Sequence, residues 1–220
     1  MPSKLAPRIV EAAAKLFSEK GFAATTMKEI ARAAKVAELT IFRLHNTKEA
    51  LFAAALDWST ANWRTPLPDV EQALSHPDIA VAFRRVTTTY FQQTDPRHLR
   101  LWLYAILEVP QILTPERMIQ ALEIQQAVES RIVKGIAEDA IDASIHPVIA
   151  ASQIGTSHYG LTILSGITKH TLSPEQMQAS ALAFVDIWLN GVLHRDESRR
   201  PKSRLCYNSL AVQFRAPLQE

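Results

Sequence analysis

The stretch between residues 26 and 48 contains side chains with the chemistry to bind a polyanion, and Thr26 and Arg43 illustrate two ways of doing so. Thr26 precedes a helical pattern, and at a helix amino terminus the free N–H groups and the helix dipole favour a phosphate group. Arg43 carries a planar guanidinium whose parallel donors match O6 and N7 of a guanine base. Thr26 is therefore a candidate for positioning a nucleic acid, and Arg43 is a candidate for reading its bases.

These residues need a rigid scaffold, and the sequence around them predicts two short helices. Thr26 and Glu29 have the spacing of a capping box, in which each side chain accepts a hydrogen bond from the other residue's backbone N–H. A second short segment follows, in which Ile41 and either Leu44 or His45 face inward. Two short helices joined by a turn of three or four residues predict a helix-turn-helix.

This stretch, with the helix before it, resembles the amino-terminal DNA-binding domain of TetR-type transcriptional regulators. The family pattern is matched by Gly21-Phe22, Thr25-Thr26, Ile30-Ala31, Ala34, Val36, Thr40-Ile41 and Lys48-Glu49-Ala50-Leu51. The resemblance implies an all-α fold. It has an N-terminal three-helix helix-turn-helix DNA-binding domain, residues 1–51, followed by a helical ligand-binding and dimerisation domain, residues 52–193.

The resemblance also implies particular DNA contacts. Residues of the family that match Thr40, Phe42 and Lys48 hold backbone phosphate, but Phe42 lacks the hydroxyl of the usual Tyr, so its contact is lost or reduced to packing against sugar. Lys35 replaces the usual turn Gly and adds a positive charge, at a cost of about 1 kcal/mol if the turn needs a positive φ. The chain departs from the family pattern at Lys35, Ala37, Leu39, Phe42 and His45.

Three more side chains of the second helix have both a DNA-binding and a structural interpretation. Glu38, near the helix start, can accept from a cytosine amino group or complement the helix dipole. Leu39 offers an apolar contact of the kind that a thymine methyl group makes. His45 is interpreted as a partly buried histidine in place of a core Phe, in preference to a DNA contact.

Charge is unevenly distributed along the 220 residues, although the net charge is only +2. Residues 1–51 carry nine Lys and Arg against five Asp and Glu, whereas residues 52–193 carry nine against fourteen. A basic head on an acidic body suits a polyanionic partner at the head, although solvated helix faces are the simpler alternative. The single cysteine, and the absence of an apolar run long enough to span a bilayer, lead us to expect a cytoplasmic protein with no membrane partner.

Apolar periodicity predicts helices along the rest of the chain. A first helix ends at Gly21, and a fourth begins after Thr47 and runs towards Trp63, limited by Pro66 and Pro68. Further helices are predicted over residues 77–93, 97–108, 115–143, 147–168 and 174–193.

The body is rich in aromatic residues, which suits an apolar ligand pocket with a few polar groups. Glu108 lies in a largely apolar run and can meet a cationic or hydroxyl-bearing ligand, or form an ion pair with Arg100 or Arg97. For each aromatic residue, ordinary core packing is the alternative. The candidate ligand-binding residues are Trp63, Phe83, Tyr90, Trp102, Tyr104 and Glu108.

The last predicted helix is apolar on two sides, which indicates neighbours on both. One neighbour can be a second subunit, as in TetR-type regulators, which dimerise through their last two long helices; burial within one core is the alternative. The candidate interface residues are Phe184, Val185, Trp188, Leu189 and Val192.

The last segment, residues 194–220, contains two basic clusters and is interpreted as an extended tail. It is either merely solvated or adds nonspecific attraction to DNA. Cys206 within it is interpreted as a plain free thiol.

No pattern in the sequence indicates catalysis. Asp139, Asp142 and His146 have metal-ligand chemistry, but Pro147 biases His146 away from helical geometry, so we expect no metal site. The sequence contains no Gly-rich phosphate loop, no CxxC pair and no recognisable nucleophile motif. We therefore expect neither a cofactor nor an enzyme.

The resemblance implies a ligand-responsive transcriptional regulator, and more specifically a repressor, that binds a pseudo-palindromic operator in double-stranded DNA as a homodimer. Its small-molecule effector would bind in residues 52–193. The alternative is a helical small-molecule-binding protein of the same family in which specific DNA recognition is weakened or lost. That alternative is motivated by the departures at Ala37, Leu39, Phe42 and His45.

Overall fold

The computed structural model describes residues 5–167 and 172–193, and its regular structure there is helical apart from one isolated β-bridge between Ile141 and Leu193. The all-α prediction is therefore confirmed. A short 3-10 turn, Pro110–Ile112, precedes α8. The helices are α1 Leu5–Ala24, α2 Met27–Ala33, α3 Glu38–His45, α4 Lys48–Trp63, α5 Leu67–Leu74, α6 Ile79–Gln93, α7 Pro96–Glu108, α8 Pro115–Ala137, α9 Pro147–Ile167 and α10 Pro174–Val192.

Two of the predicted helix boundaries are wrong. The prediction places no helix between Pro68 and residue 77, but α5 forms there because proline is tolerated in the first turn of a helix. Helix α8 ends at Ala137 and not at residue 143, because Asp139 adopts a positive φ of 57°. The N–H groups of the next two residues then donate to the carbonyl of Gly135, which closes the helix end.

Core packing divides the described residues into two compact units. The first comprises residues 5–66, 90–122 and 162–167, and the second comprises residues 67–89, 123–161 and 172–193. The assignment of residues 1–51 to DNA binding and 52–193 to ligand binding and dimerisation stays a prediction about function, since the core of the first unit extends beyond residue 51. The tail, residues 194–220 with Cys206, lies outside the described residues.

The first unit has an aromatic centre. The ring of Phe52, on α4, meets the ring of Phe17 edge to face at 4.8 Å and that of Phe22 at 5.4 Å. Helix α1 packs against both α4 and α7 in this unit, and α7 contributes the fully buried Leu101 and Ala105. The helix-turn-helix segment is thus attached to a core that α4 and α7 complete.

The second unit buries several polar groups beside its apolar core. Arg131 is 6% exposed and donates to the backbone carbonyls at the end of α5 and in the loop after it. His158 lies 3.3 Å from the Thr87 hydroxyl, and burial lowers the pKa of His158 to about 4. Within residues 5–167 and 172–193, no helix combines the length and apolar character needed to cross a membrane.

Candidate nucleic-acid interface

Helix α2 begins with the predicted capping box. The Thr26 hydroxyl accepts from the Glu29 N–H at 3.2 Å, and the Glu29 carboxylate accepts from the Thr26 N–H at 2.9 Å. Lys20 adds an ion pair to the same carboxylate at 2.8 Å. The hydrogen bond from Lys20, followed by those from Thr26, lowers the pKa of Glu29 to about 2. Thr26 is exposed, so the amino terminus of α2 is fixed in place and open to solvent.

The turn between α2 and α3 has the strained backbone that the sequence suggests. Lys35 adopts a φ of 52°, in the left-handed region where glycine is the usual residue. The Val36 N–H donates to the Ala31 carbonyl at 3.0 Å, which is the long hydrogen bond of a Schellman helix end. Lys35 itself is exposed, so its ammonium group is presented to solvent at the turn.

Helix α3 is anchored by a single buried side chain. Ile41 is fully buried, whereas the side chains of Leu39, Phe42 and Leu44 are 59%, 41% and 48% exposed. Ala37 at the N-cap gives no side-chain hydrogen bond. Large apolar side chains are thus presented to solvent on a helix that has no cap of its own.

The polar candidates on α3 lie mostly at its surface. Glu38 and Arg43 are exposed, and Thr40 is half-buried. His45, and not Leu44, is the partly buried residue at the end of the helix, and burial lowers the pKa of His45. Arg43 therefore has the exposure that a base-reading side chain needs.

The start of α4 carries the last predicted DNA-binding residue. Thr47 caps this helix by accepting from the Ala50 N–H at 3.0 Å. Lys48 donates to the Ala23 carbonyl at 3.4 Å, and its Nζ lies 4.3 Å from the centroid of the Phe22 ring. The side chain of Lys48 is therefore held against residues 21–25, where the chain leaves the regular turns of α1 at Gly21 and leads to α2; these residues are called the segment that joins α1 to α2.

The six predicted ligand-binding residues do not fall within one compact unit. Phe83, fully buried, belongs to the second unit and packs 5.0 Å from the ring of Trp188. The other five belong to the first unit, where Trp63 and Trp102 are part of the core and Tyr90 is buried. Tyr104 lies beside Gly21. A pocket that contains all six is not assembled within either unit.

Glu108 has a partner that the sequence did not indicate. Its carboxylate accepts from the backbone N–H of Ala23 at 2.7 Å. Arg97, one of its two expected partners, pairs instead with Asp95 at 2.6 Å and stacks over the Trp63 ring at 4.4 Å. The contact joins residues 85 positions apart in the sequence, so no local pattern could have revealed it.

Helix α10 buries four of the five predicted interface residues within its own unit. Val185, Trp188, Leu189 and Val192 are each less than 9% exposed, which favours the alternative of burial within one core. The large apolar residue that this helix exposes is Ile187, at 72%, which the sequence prediction omitted. Ile187 and Phe184, the fifth predicted interface residue, line a groove of about 660 Å³ between α10 and α9. The residues that line it are Val148, Ile149, Ser152, Gln153, Thr156, Ser157, Phe184, Ile187 and Trp188.

Comparison with known proteins finds a family match in the amino-terminal part of the chain. Residues 9–55 match the family model of bacterial regulatory proteins of the tetR family. A Bacillus subtilis (strain 168) protein described as the uncharacterized HTH-type transcriptional regulator YvkB is 44% identical over 64 residues. That match covers 29% of this chain and 34% of the relative, so the chain matches about a third of the relative's length.

Solved structures extend the likeness to the rest of the fold. The fatty acid degradation regulator FadR from Bacillus halodurans has a TM-score of 0.65 at 16% identity, covering 89% of this chain and 100% of FadR. NalD from Pseudomonas aeruginosa, the secondary repressor of the MexAB-OprM multidrug efflux pump, has a TM-score of 0.65 at 19% identity, covering 88% of this chain and 98% of NalD. Residues 9–55 therefore match the tetR family of bacterial regulatory proteins, and the chain shares its fold with solved bacterial regulators.

Proposed function

We propose that this chain is a ligand-responsive transcriptional repressor that binds a pseudo-palindromic operator as a homodimer. The observation that carries the proposal is helix α3, which exposes Arg43 on a helix anchored by Ile41. A guanidinium on a fixed helix can bond both major-groove acceptors of guanine. We propose that the protein acts in the cytoplasm, because bacterial operator DNA is there.

The proposed DNA contacts divide into positioning and reading. Arg43 reads a guanine, and Glu38 either accepts from a cytosine amino group or complements the helix dipole. Phosphate and sugar contacts are proposed for Thr26, Lys35, Thr40, Phe42 and Lys48. The fixed amino terminus of α2 supports this assignment, because its free N–H groups favour an anion.

Dimerisation is proposed through the groove between α9 and α10. The exposed Ile187 and the apolar residues of the groove support this, since an unpartnered apolar surface is stabilised by burial against a second copy. Analytical ultracentrifugation tests it: Ile187→Asp should give monomers, whereas Val133→Asp should leave the dimer intact. Val133 is also 50% exposed in the second unit, which makes it a matched control. A dimer that survives Ile187→Asp would contradict this interface.

A dimer of helix-turn-helix domains reads two half-sites about one helical turn apart. Selection of bound fragments from random and genomic DNA at moderate salt tests the operator proposal directly. The wild-type protein should enrich a pseudo-palindrome, and Arg43→Ala should lose about 1–3 kcal/mol and relax one position of each half-site. Equal loss on all sequences would make Arg43 a phosphate contact. A selection that enriches no palindrome would reject specific operator binding.

The effector is proposed to be a small molecule that binds among the aromatic residues of the body. The energetic requirement is modest: a tenfold loss of operator affinity needs a difference of about 1.4 kcal/mol between the ligand affinities of the two conformations. Screening a small-molecule library for release of a fluorescent operator tests this part. A reporter gene placed behind the selected operator tests whether the protein represses or activates transcription, because deletion of a repressor raises expression of the reporter.

The alternative function, a small-molecule-binding protein without specific DNA recognition, also has supporting observations. Ala37 does not cap α3, and Phe42 has no hydroxyl to offer a phosphate. This alternative predicts ligand binding together with failure of the DNA selection. Neither function includes a catalytic step, so neither predicts turnover of a bound ligand.

A further inference from the structure

The segment that joins α1 to α2 is held from outside the helix-turn-helix. Gly21 has a φ of 82° and a ψ of 173°, so the regular turns of α1 end there. Ala23, two residues later, donates its N–H to the carboxylate of Glu108, the last residue of α7. The N···O distance is 2.7 Å, typical of a hydrogen bond to a charged acceptor.

Glu108 also lies in close contact with Gly21. A Cβ atom at Gly21 would come within 2.9 Å of the second carboxylate oxygen and 3.1 Å of the Tyr104 ring. The Gly21 backbone is therefore packed against the side chains of Glu108 and Tyr104 at the end of α7, and a side chain at position 21 would displace the Glu108 carboxylate. The positive φ independently favours glycine at this position.

The same backbone segment holds Lys48, a proposed phosphate contact. The Ala23 carbonyl accepts from the Lys48 ammonium at 3.4 Å, and the Phe22 ring lies beneath that ammonium at 4.3 Å. Ala23 is thus bonded through its N–H to Glu108 and through its carbonyl to Lys48. A lysine held in this way loses less side-chain freedom when it binds phosphate than a lysine that moves freely in solvent.

We propose that Glu108 is a positioning residue for DNA binding: its carboxylate fixes the backbone at Ala23, and that backbone holds Lys48 where it meets a phosphate. The inference rests on the proposed function, because it needs an operator. It also makes a prediction that opposes simple electrostatics. Loss of a negative charge generally strengthens attraction to DNA, but loss of this carboxylate should weaken binding.

The test measures affinity for the selected operator by fluorescence anisotropy in the full-length protein. Glu108→Gln keeps the side-chain shape and should weaken binding about threefold, and Glu108→Ala should weaken it about tenfold, as expected for one charge-assisted hydrogen bond. The control is Glu11→Gln, which removes the same charge from the exposed pair with Lys15 and should bind as tightly as wild type or more tightly. Glu108 variants that match this control would overturn the inference.

A double-mutant cycle with Lys48→Ala separates positioning from a general structural effect. If Glu108 acts through Lys48, substitution of Glu108 should weaken binding less than twofold in the Lys48→Ala protein. An undiminished effect in the Lys48→Ala protein would overturn the inference. If Glu108→Ala fails to fold, the cycle is carried out with Glu108→Gln.

Two readouts complete the test. Hydrogen exchange at the Ala23 amide should be faster in both Glu108 variants, and unchanged exchange would overturn the inference. If the wild-type protein enriches no operator, the proposed function fails. If the wild type binds its operator and the Glu108 variants bind equally well, only the inference fails.

Discussion

Helices α2 and α3 are similar in length, at seven and eight residues, but they are held in opposite ways. Helix α2 has both halves of a capping box and an ion pair with Lys20, and it buries three apolar side chains. Helix α3 has Ala37 at its N-cap, which gives no side-chain hydrogen bond, and buries only Ile41. Helix α2 is specified by its own sequence, whereas α3 depends on packing against the rest of its unit.

This difference matters for binding, because a short helix is marginal in water without tertiary contacts. A helix attached by one buried residue keeps most of its circumference available, and on α3 that surface carries Leu39, Phe42 and Arg43. The uncapped helix is therefore the one suited to reading bases. The capped helix fixes the turn from which it projects.

The largest effect should come from the one anchor of α3. Ile41→Ala should lower the free energy of unfolding by about 2–5 kcal/mol, because it leaves a cavity where a fully buried side chain stood. Urea unfolding followed by circular dichroism measures this. Leu44→Ala on the same helix is the control and should change stability by less than about 0.5 kcal/mol. Equal losses in the two variants would show that α3 has no single anchor.

The second largest effect on stability should come from the cap of α2. Thr26→Ala should lower the free energy of unfolding by about 1 kcal/mol, because the hydroxyl accepts from the Glu29 N–H and donates to the Glu29 carboxylate, and both hydrogen bonds are lost. The pKa of Glu29, about 2 in the intact protein, should rise towards its ordinary value, which a carboxyl NMR titration detects.

The sign of the pH dependence follows from that lowered pKa. The Glu29 contribution to stability is fully present above pH 4.5, its unfolded value, and is lost as the pH falls through about 2. Lys20→Met should also raise the pKa of Glu29, since Lys20 is the largest cause of the shift. A Glu29 pKa that stays near 2 in both variants would contradict this account of the cap.

The proposed apolar contact of Leu39 with DNA should have a smaller effect, measured on operator affinity. If Leu39 contacts a thymine methyl group, replacing that thymine with deoxyuridine should weaken operator binding about fourfold, the value of one buried methyl group. Leu39→Ala should remove this dependence, so that both operators bind equally. Competition binding with the two duplexes measures it. An identical deoxyuridine penalty in the wild type and in Leu39→Ala would assign the methyl contact to another residue.

The smallest effect tests the missing cap of α3 directly. Ala37→Ser should raise the free energy of unfolding by about 0.5 kcal/mol, because a serine at the N-cap can accept from the free N–H groups of the first turn. Ala33→Ser, at an exposed position inside α2, is the control and should give no gain. A gain of the same size at both positions would exclude capping as its cause.

Local chemistry made part of the interface predictable. The spacing of Thr26 and Glu29 fixed the start of α2, and the absence of glycine at Lys35 pointed to the strained turn that the structure contains. The partial burial of His45 followed from the core position that it occupies. Each of these depends on residues within a few positions of one another.

Long-range contacts account for what the sequence did not reveal. Glu108 was assigned to a ligand or to an arginine, because nothing near it in the sequence indicates Ala23 as its partner. The sequence pattern of α10 shows two apolar stripes, and Ile187 lies in neither of them, so its exposure is not predicted. Phe83 and Trp102 are both aromatic residues of the predicted ligand-binding body, but they belong to different compact units.

The position of α7 in the first unit has a consequence for how the protein is made. Helix α1 leaves the ribosome before α7, which packs against it and follows only after residues 67–89 of the other unit have been synthesised. Until then the face of α1 that contacts α7 is exposed apolar surface, and such surface promotes aggregation of nascent chains. A chain terminated before Pro96 should therefore aggregate rather than behave as an isolated DNA-binding domain.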